Sequence, residues 1–278
     1  MSRIDDVFKD LRASRRTGLV TFVSAGDPDL ERSAGILQAL DRAGVDVLEV
    51  GVPFSDPLAD GPVIQRATER ALAAGGSLSA TLDMVGSVRA GLKAPVVLFS
   101  YANPLMRMGV ERFAARAAAA GVDGVLVLDL PIEEAGAFRD TMAGVGIDMI
   151  FLLSPTTTRQ RIGLAARMGR GFLYGISRLG VTGARDTVAV GAAELVARIR
   201  AETEMPVALG FGISRPEHVR EVGRSADAAV VGSGLVSVIA RAGRSPELFA
   251  RVGQYVGWLK GERAAEWDDD DRRAAHTD

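Results

Sequence analysis

Short runs of apolar residues recur along the chain, and amphipathic stretches with helical spacing separate them. The apolar runs are continuous rather than alternating, which is typical of parallel strands that are buried on both faces. The pattern predicts eight such strands, at Val20–Ser24, Val47–Val50, Val96–Ser100, Val125–Leu128, Met149–Leu153, Gly171–Ile176, Val207–Gly210 and Ala228–Val231.

Helical segments follow the predicted strands, among them Asp29–Ala43, Val110–Ala120, Ile132–Ala143 and Ala192–Glu202. Eight strand–helix units in succession close a barrel, so the pattern predicts an α/β fold, the (β/α)8 TIM barrel. An additional N-terminal helix is expected to cover the bottom of this barrel, because apolar residues lie at helical spacing there, at Ile4, Val7, Phe8 and Leu11.

One barrel accounts for most of the length. The chain has 278 residues and is 47% hydrophobic, and (β/α) barrels of about 250 residues are single domains. We therefore expect a single barrel domain over residues 1–263. Residues 264–278 carry six acidic residues and two arginines, a composition that favours a disordered, solvated tail over a partner-binding segment.

Charge and composition exclude several classes of protein. The net charge is −2 and the arginines are scattered rather than arranged in a stripe, so we expect no nucleic-acid partner. No apolar run approaches the roughly 18 residues of a membrane span, and MSRIDDVFKD lacks the apolar core of a secretory signal. Without cysteine there is no disulfide, thiol nucleophile or cysteine-ligated zinc. These features predict a cytoplasmic enzyme.

Two predicted loops at the carboxyl ends of the strands are long, Gly51–Pro62 after the second strand and Ser177–Val188 after the sixth. Long loops of a compact domain are often functional lids. Glycine-rich turns follow strands six, seven and eight, at Gly180–Gly183, Gly210–Ser214 and Gly232–Gly234. The last two occupy the usual phosphate-binding position of such barrels, where binding would depend on backbone N–H groups and Ser233.

The second strand carries an acidic residue inside an apolar run, Glu49, and its long loop carries a second, Asp60, among prolines. A buried strand carries an acid only where the acid is paired, satisfied or used. Glu49 is the leading acid–base candidate, with a single structural hydrogen bond as the alternative. For Asp60 the alternative is a turn cap before the helix that begins near Val63.

Lysine and histidine lie away from the predicted mouth of the barrel. Lys9 lies in the N-terminal helix, Lys93 precedes the third strand, and Lys260 lies in the last helix. His218 is expected on an outer helix and His276 in the tail. This placement disfavours Schiff-base aldolases, metal-dependent enzymes and serine triads, and it leaves carboxylates and tyrosines.

Other groups at the mouth have weaker claims. Asp129 ends the fourth strand and is either a rival acid or a helix cap. Asp56 and Asp60 could hold a divalent cation, but no histidine or third acid is near them in sequence, and we expect no metal. The hydroxyl of Tyr174 or Tyr101 could reach the mouth. Four apolar residues are ordinary core or the lining of an aromatic pocket, namely Phe22, Leu126, Leu128 and Phe211.

Five motifs in this order and spacing resemble the tryptophan synthase alpha subunit family: LEVGVPFSDPLADGP, YANP, SRLGVTG, GFGIS and VVGSG. The resemblance covers roughly residues 4 to 260, and the first motif is highly specific. It implies a (β/α)8 barrel that cleaves indole-3-glycerol phosphate into indole and glyceraldehyde 3-phosphate in tryptophan biosynthesis. The family's catalytic glutamate and aspartate match Glu49 and Asp60, and its active-site tyrosine matches Tyr174.

The resemblance also assigns the substrate contacts. The phosphate-binding positions match Gly183, Gly212, Gly232 and Ser233, the indole pocket matches Phe22, Leu126, Leu128 and Phe211, and the lid threonine matches Thr182. One departure is Gly234, where the family usually has alanine. We expect Glu49 to move protons at indole C3 and the neighbouring hydroxyl, and Asp60 to stay ionised and hold the ring N–H.

A partner is implied as well, a beta subunit that uses pyridoxal phosphate, in an α2β2 assembly. Three loop residues would form the docking surface, Pro53, Asp56 and Pro57, and this chain itself would hold no cofactor. The alternatives are a stand-alone indole-3-glycerol phosphate lyase and a non-catalytic phosphosugar-binding regulatory subunit, which would not need the Glu49/Asp60 pair. Phosphosugar isomerases of histidine biosynthesis place acids at strands one and five, which end here in Ser24 and Ser154.

Overall fold

The structure is a computed structural model that describes residues 2–176, 190–210 and 212–262. All eight predicted strands are present, each within two residues of its predicted bounds. They are β1 (Gly18–Ser24), β2 (Val47–Gly51), β3 (Val96–Ser100), β4 (Gly124–Val127), β5 (Asp148–Leu153), β6 (Leu173–Ile176), β7 (Val207–Gly210) and β8 (Ala228–Val231).

The strands form a closed parallel barrel. Each strand pairs with its neighbours in chain order, and β8 pairs with β1 to complete the ring. The predicted (β/α)8 TIM barrel is therefore confirmed. Because the sheet closes on itself, no strand has an unpaired edge, and all eight carboxyl ends open at one mouth.

Helices lie before the first strand, between successive strands and after the last one. They are α1 (Arg3–Ala13), α2 (Leu30–Arg42), α3 (Pro62–Ala73), α4 (Leu78–Val88), α5 (Ala102–Met108), α6 (Val110–Ala119), α7 (Gly136–Gly144), α8 (Arg159–Met168), α9 (Val190–Arg200), α10 (Pro216–Val222), α11 (Ser233–Ala242) and α12 (Leu248–Leu259). None of the helices in the described ranges is long and apolar enough to cross a membrane.

One predicted helix, Ile132–Ala143, is interrupted. Its first residues form a 3₁₀ turn, Ile132–Glu134, and the α-helix begins only at Gly136. The Ala135 N–H closes the tight turn on Ile132, while the Ala135 carbonyl accepts the first bond of α7. Gly136 stands where the two segments meet, and glycine is a poor helix former.

Alternate residues of each strand face the inside and the outside of the barrel. Val20, Val47 and Val97 pack in the interior cluster. Their neighbours Leu19, Leu48 and Leu98 pack in the outer cluster, against the helices. Both faces are thus buried, which explains why the strands are continuous apolar runs.

The N-terminal helix α1 covers the amino ends of the strands, as predicted. Ile4, Phe8 and Leu11 are at most 2% exposed and join the interior cluster. The rings of Phe8 and Phe172 lie 5.3 Å apart. A capping box begins the helix, since the Ser2 hydroxyl accepts the Asp5 N–H and the Asp5 carboxylate accepts the Ser2 N–H.

Three aspartates repeat one arrangement at the bottom of the barrel. Asp46, Asp123 and Asp227 directly precede β2, β4 and β8, and each accepts a backbone N–H from the strand before it. The donors are Leu19, Val96 and Val207, at 2.8, 2.8 and 2.7 Å. An arginine pairs with each carboxylate, namely Arg16, Arg89 and Arg12. These charge-assisted bonds fix neighbouring strands at the end opposite the mouth.

Replacing Asp227 by asparagine should lower the free energy of unfolding by about 1.5–3 kcal/mol at pH 7, the usual size of hydrogen bonds to a charged group. Burial raises the pKa of Asp227, but bonds from Arg12, the Val207 N–H and Arg200 outweigh it and hold the pKa below its ordinary 3.8. The carboxylate therefore stabilises the fold fully above pH 3.8 and loses its contribution as the pH falls further.

Urea denaturation at pH 7 and at pH 3 measures this contribution. The control is Asp140→Asn, whose carboxylate is 68% exposed and pairs with its neighbour Arg139, so its loss should be small. Equal destabilisation by both variants, or a loss for Asp227→Asn that is as large at pH 3 as at pH 7, would contradict the interpretation.

Candidate active site

The inner face near the mouth carries the polar groups of the site. Two residues beyond Val20, Val47 and Val97, the same inner face continues. The side chains of this upper layer are Phe22, Glu49, Phe99, Leu128, Leu152 and Tyr174. The corresponding positions are Gly210 at the end of β7 and Gly232 directly after β8. Large side chains therefore line most of the mouth. Among the described residues this layer has no side chain on the side of β7 and β8, which we call the open side.

Glu49 lies in the middle of β2, where it pairs in register with Phe22 of β1 and Val97 of β3. Its side chain is 1% exposed. Within the described ranges, its Oε1 atom has no hydrogen-bond partner. Burial raises the pKa of Glu49 from 4.5 to about 8, so the carboxyl carries a proton at neutral pH. At Oε1, the described residues do not provide the single structural hydrogen bond that was the alternative for Glu49.

Tyr174 faces the same interior from β6. Burial raises its pKa well above 10, and the charge of Glu49 raises it further, so the hydroxyl stays protonated and remains a donor. A β-carbon at position 210 would lie 2.7 Å from the Tyr174 hydroxyl. Gly210 therefore gives this hydroxyl its room beside β7.

Residues 52–61 form the long loop between β2 and α3, and Tyr101 holds it. The Tyr101 hydroxyl accepts the Ala59 N–H at 2.9 Å and donates to Asp60 Oδ2 at 3.3 Å. The Phe54 and Tyr101 rings lie 5.2 Å apart. Gln65 of α3 donates to the Asp60 carbonyl at 2.9 Å. The position of Asp60 thus depends on the tyrosine that directly follows β3.

Asp60 is partly buried at the mouth. Burial raises its pKa from 3.8 to about 6, although the hydrogen bond from Tyr101 opposes the rise. The N-cap of α3 is Gly61, with no side-chain cap bond, so Asp60 does not cap this helix. Burial raises the pKa of Tyr101 to about 12, which keeps its hydroxyl a donor to Asp60.

Asp129 makes a helix cap, but not for the helix that follows it. Its Oδ1 accepts the Ala102 N–H at 2.6 Å, at the first residue of α5, which follows the preceding strand. This contact favours the structural alternative for Asp129. Across the described ranges, no three His, Asp or Glu side chains form a group that could hold a metal ion.

Apolar side chains line the rest of the interior. The Phe22 and Phe99 rings meet edge to face, 5.3 Å apart. Gly51 makes room for this pair, since a β-carbon there would lie 2.5 Å from the Phe22 ring. Leu128 is partly buried near the mouth, whereas Leu126 is fully buried one layer deeper, in the cluster that includes α1.

The open side of the mouth carries the predicted phosphate turns. Gly212 has φ +67°, a conformation that favours glycine. Gly232 caps α11 without a side-chain bond, and Ser233 is the first residue of that helix. A β-carbon at Gly232 would lie 3.8 Å from the side chains of Phe22 and Ile64. The N-terminus of α11, where N–H groups lack helical partners, therefore borders the aromatic pocket.

Three predicted site residues lie outside the described residues, namely Thr182, Gly183 and Phe211. Of the three proposed docking residues, Asp56 is exposed and Pro57 is half-buried, whereas Pro53 is buried. Sequence reasoning missed Phe99 and Leu152, which the two-residue period of β3 and β5 could have identified. It also named Tyr101 without its partner Asp60, because that contact joins two residues that lie 41 positions apart in the chain.

Comparisons with known proteins agree with this geometry. The family model for the tryptophan synthase alpha chain matches residues 8–259. The tryptophan synthase alpha chain of Citrifermentans bemidjiense is 48% identical over 268 residues, covering 95% of this chain and 100% of that protein. That of Geobacter sulfurreducens is 49% identical over 260 residues, covering 94% and 98%.

Solved structures agree as well. Tryptophan synthase subunit alpha from Legionella pneumophila superposes with a TM-score of 0.86 at 35% identity, covering 94% of this chain and 98% of that one. A chain of the tryptophan synthase α2β2 complex from Pyrococcus furiosus gives 0.83 at 39% identity, covering 88% and 98%. Sequence, fold and site together show that this chain belongs to the tryptophan synthase alpha chain family and has a lyase role in tryptophan synthesis.

Proposed function

We propose that the chain cleaves indole-3-glycerol phosphate into indole and glyceraldehyde 3-phosphate by a retro-aldol reaction. The observation that carries this proposal is the buried carboxyl of Glu49, whose pKa is raised to about 8 beside an apolar pocket. A general acid with a pKa near neutrality can both give and take a proton during one turnover.

The reaction needs an electron sink, and the indole ring supplies one. Glu49 donates its proton to indole C3, which leaves the positive charge on the ring nitrogen. The resulting carboxylate takes the proton of the neighbouring hydroxyl, the carbon–carbon bond breaks, and its electrons return to the ring. One proton is added at C3 and one is lost from the hydroxyl, so Glu49 ends the cycle protonated.

Asp60 has the complementary role in this proposal. With a pKa of about 6, it is mostly ionised at pH 7, and its carboxylate accepts the indole N–H as positive charge develops on the ring. Tyr101 fixes its direction through the bond to Oδ2. Tyr174 contributes a hydroxyl to the same pocket, where it acts as a hydrogen-bond donor beside Glu49.

Two further parts of the substrate, the indole ring and the phosphate, have binding sites of their own in this proposal. We assign the indole ring to the apolar pocket of Phe22, Leu126, Leu128 and Phe211, and Phe99 extends its edge-to-face wall. We assign the phosphate to the turns on the open side, at Gly183, Gly212, Gly232 and Ser233. Thr182 closes the sixth loop over the bound substrate and excludes water.

We further propose a beta subunit as partner, with pyridoxal phosphate in that subunit and none in this chain. The loop that carries Asp60 also presents a surface: Asp56 is exposed, and the Leu58 side chain is 92% exposed. A partner seated on this loop would cover both side chains beside Asp60. The related Pyrococcus furiosus chain comes from a complex described as mutually activating.

Incubation with indole-3-glycerol phosphate, with and without a beta subunit, should yield indole, measured by chromatography. Glu49→Gln should lower this turnover by about two to four decades, the usual worth of general acid–base catalysis, and should leave substrate binding intact. The control Glu111→Gln, on the exposed face of α6, should retain wild-type turnover. Near-normal turnover in Glu49→Gln would refute the assignment.

Folding of the Glu49→Gln variant can be checked by its pH dependence. The folded wild type keeps a proton that the unfolded chain releases above pH 4.5, so its stability falls as the pH rises from 4.5 to about 8. Glutamine has no titratable proton, so the variant does not lose this stability as the pH rises. Its free energy of unfolding should therefore equal or exceed that of the wild type at pH 8.

The pH profile of kcat/KM should be bell-shaped, with limbs near 6 and 8, because the reaction needs ionised Asp60 and protonated Glu49. Tyr101→Phe removes a bond that lowers the pKa of Asp60. Its acidic limb should move to higher pH while the alkaline limb stays in place. An acidic limb that does not move, or moves to lower pH, would count against the Tyr101–Asp60 coupling.

Asp56→Ala should weaken activation by a purified beta subunit more than it weakens basal indole formation, because the side chain lies on the exposed part of the loop. Titration of each variant with the beta subunit measures both quantities. Asp10→Ala, exposed on α1 at the opposite end of the barrel, is the matched control. Equal losses of basal and activated turnover would contradict a docking role.

A further inference from the structure

The last described helix, α12, carries a fully buried tyrosine, Tyr255, with 0% exposure. Its hydroxyl donates to the Ser214 carbonyl at 3.1 Å, and this bond is buried. Ser214 ends the glycine-rich turn after β7, two residues beyond Gly212. A residue from the outer helical layer therefore bonds directly to the backbone of the phosphate turn.

Ser214 is held at both of its backbone polar groups. While its carbonyl accepts from Tyr255, its N–H donates to Nδ1 of His218, at 3.3 Å. His218 lies on α10 and is 8% exposed. Two side chains from two outer helices thus fix one residue of this turn.

Gly234 makes this arrangement possible. It follows Ser233 in the first turn of α11. A β-carbon there would overlap the Tyr255 hydroxyl and would lie 3.2 Å from the β-carbon of Ser214. The hydroxyl therefore occupies the space that an alanine methyl group would fill.

We propose that Tyr255 is a positioning residue for the phosphate site, acting through the Ser214 carbonyl in the space left by Gly234. By joining the turn after β7 to the start of α11, it holds Gly212 and Ser233 at the spacing that a phosphate group needs. Tyr255 does not touch the substrate. The inference rests on the proposed function, since it requires these turns to bind phosphate.

The chemistry of the site suits this role. The hydroxyl and the carbonyl meet away from water, where a hydrogen bond is strong and an unpaired group is costly. Burial raises the pKa of Tyr255, so the group stays a donor at all working pH values. Tyr255 also packs its ring against Trp258, with centroids 5.9 Å apart, which fixes the ring independently of the hydroxyl.

Tyr255→Phe separates the hydroxyl from the ring. We expect the Kd for inorganic phosphate, and the KM for indole-3-glycerol phosphate, to rise about three- to tenfold, the effect of one lost hydrogen bond. The kcat and the affinity for indole, which has no phosphate, should change less than twofold. Calorimetry with phosphate and with indole gives the two affinities separately.

A second experiment tests whether a β-carbon at position 234 competes with the Tyr255 hydroxyl for the same space. Gly234→Ala alone should weaken phosphate binding more than Tyr255→Phe does, because its methyl group displaces the hydroxyl. In the Tyr255→Phe background the same alanine has room, so its added effect on phosphate affinity should be less than twofold. This non-additivity is specific to the contact between positions 234 and 255.

The control is Val252→Ala, fully buried on the same helix, which should lower the melting temperature without changing phosphate affinity. Wild-type phosphate affinity in Tyr255→Phe, or fully additive effects of the two substitutions, would overturn the inference. If the wild type binds phosphate but forms no indole, the proposed function fails, and the phosphate titrations still decide the role of Tyr255.

Discussion

Closure of the sheet is the constraint on which the rest of this structure depends. The pairing of β8 with β1 removes both edges of the sheet, encloses the inner face of every strand and brings all carboxyl ends to one mouth. The aspartates before β2, β4 and β8 fasten neighbouring strands at the other end. A carboxyl on the inner face is then cut off from water by the barrel itself, and that enclosure gives Glu49 its raised pKa.

The two carboxyl groups of the site differ in pKa because their surroundings differ. Glu49 lies on a strand, without a hydrogen-bond partner at Oε1 within the described ranges, and keeps its proton. Asp60 lies on a loop, where Tyr101 donates to it and limits the rise of its pKa. The two environments thus place the pKa of Glu49, the proton donor, about two pH units above the pKa of Asp60, the anion. The arrangement costs stability, since the fold must hold an uncharged glutamate at pH values where the unfolded chain ionises it.

Glycine residues, which have no side chain, shape this site as much as the larger residues do. Gly51 makes room for the Phe22 ring, Gly210 for the Tyr174 hydroxyl, and Gly234 for the Tyr255 hydroxyl. In each case the side chain that fills the space comes from a different element of the barrel. An alanine at any of these positions would move a group that faces the pocket or bonds to the turn after β7. The glycines are therefore steric requirements of particular neighbours as well as features of turns.

The apolar runs alone determined the eight strands, their parallel order and the helix across the bottom, because periodicity follows from burial within each segment. They also marked Glu49, since an acid in a buried strand is conspicuous in any sequence. The motif resemblance supplied the substrate and the role expected of Asp60. Tertiary structure alone decided that Tyr101 holds Asp60, that Asp129 caps α5, that Pro53 is buried, and that Tyr255 reaches Ser214. The three contacts join residues far apart in the chain. Local sequence pattern carries no information about the distance between such residues, because the folding of the whole barrel sets it.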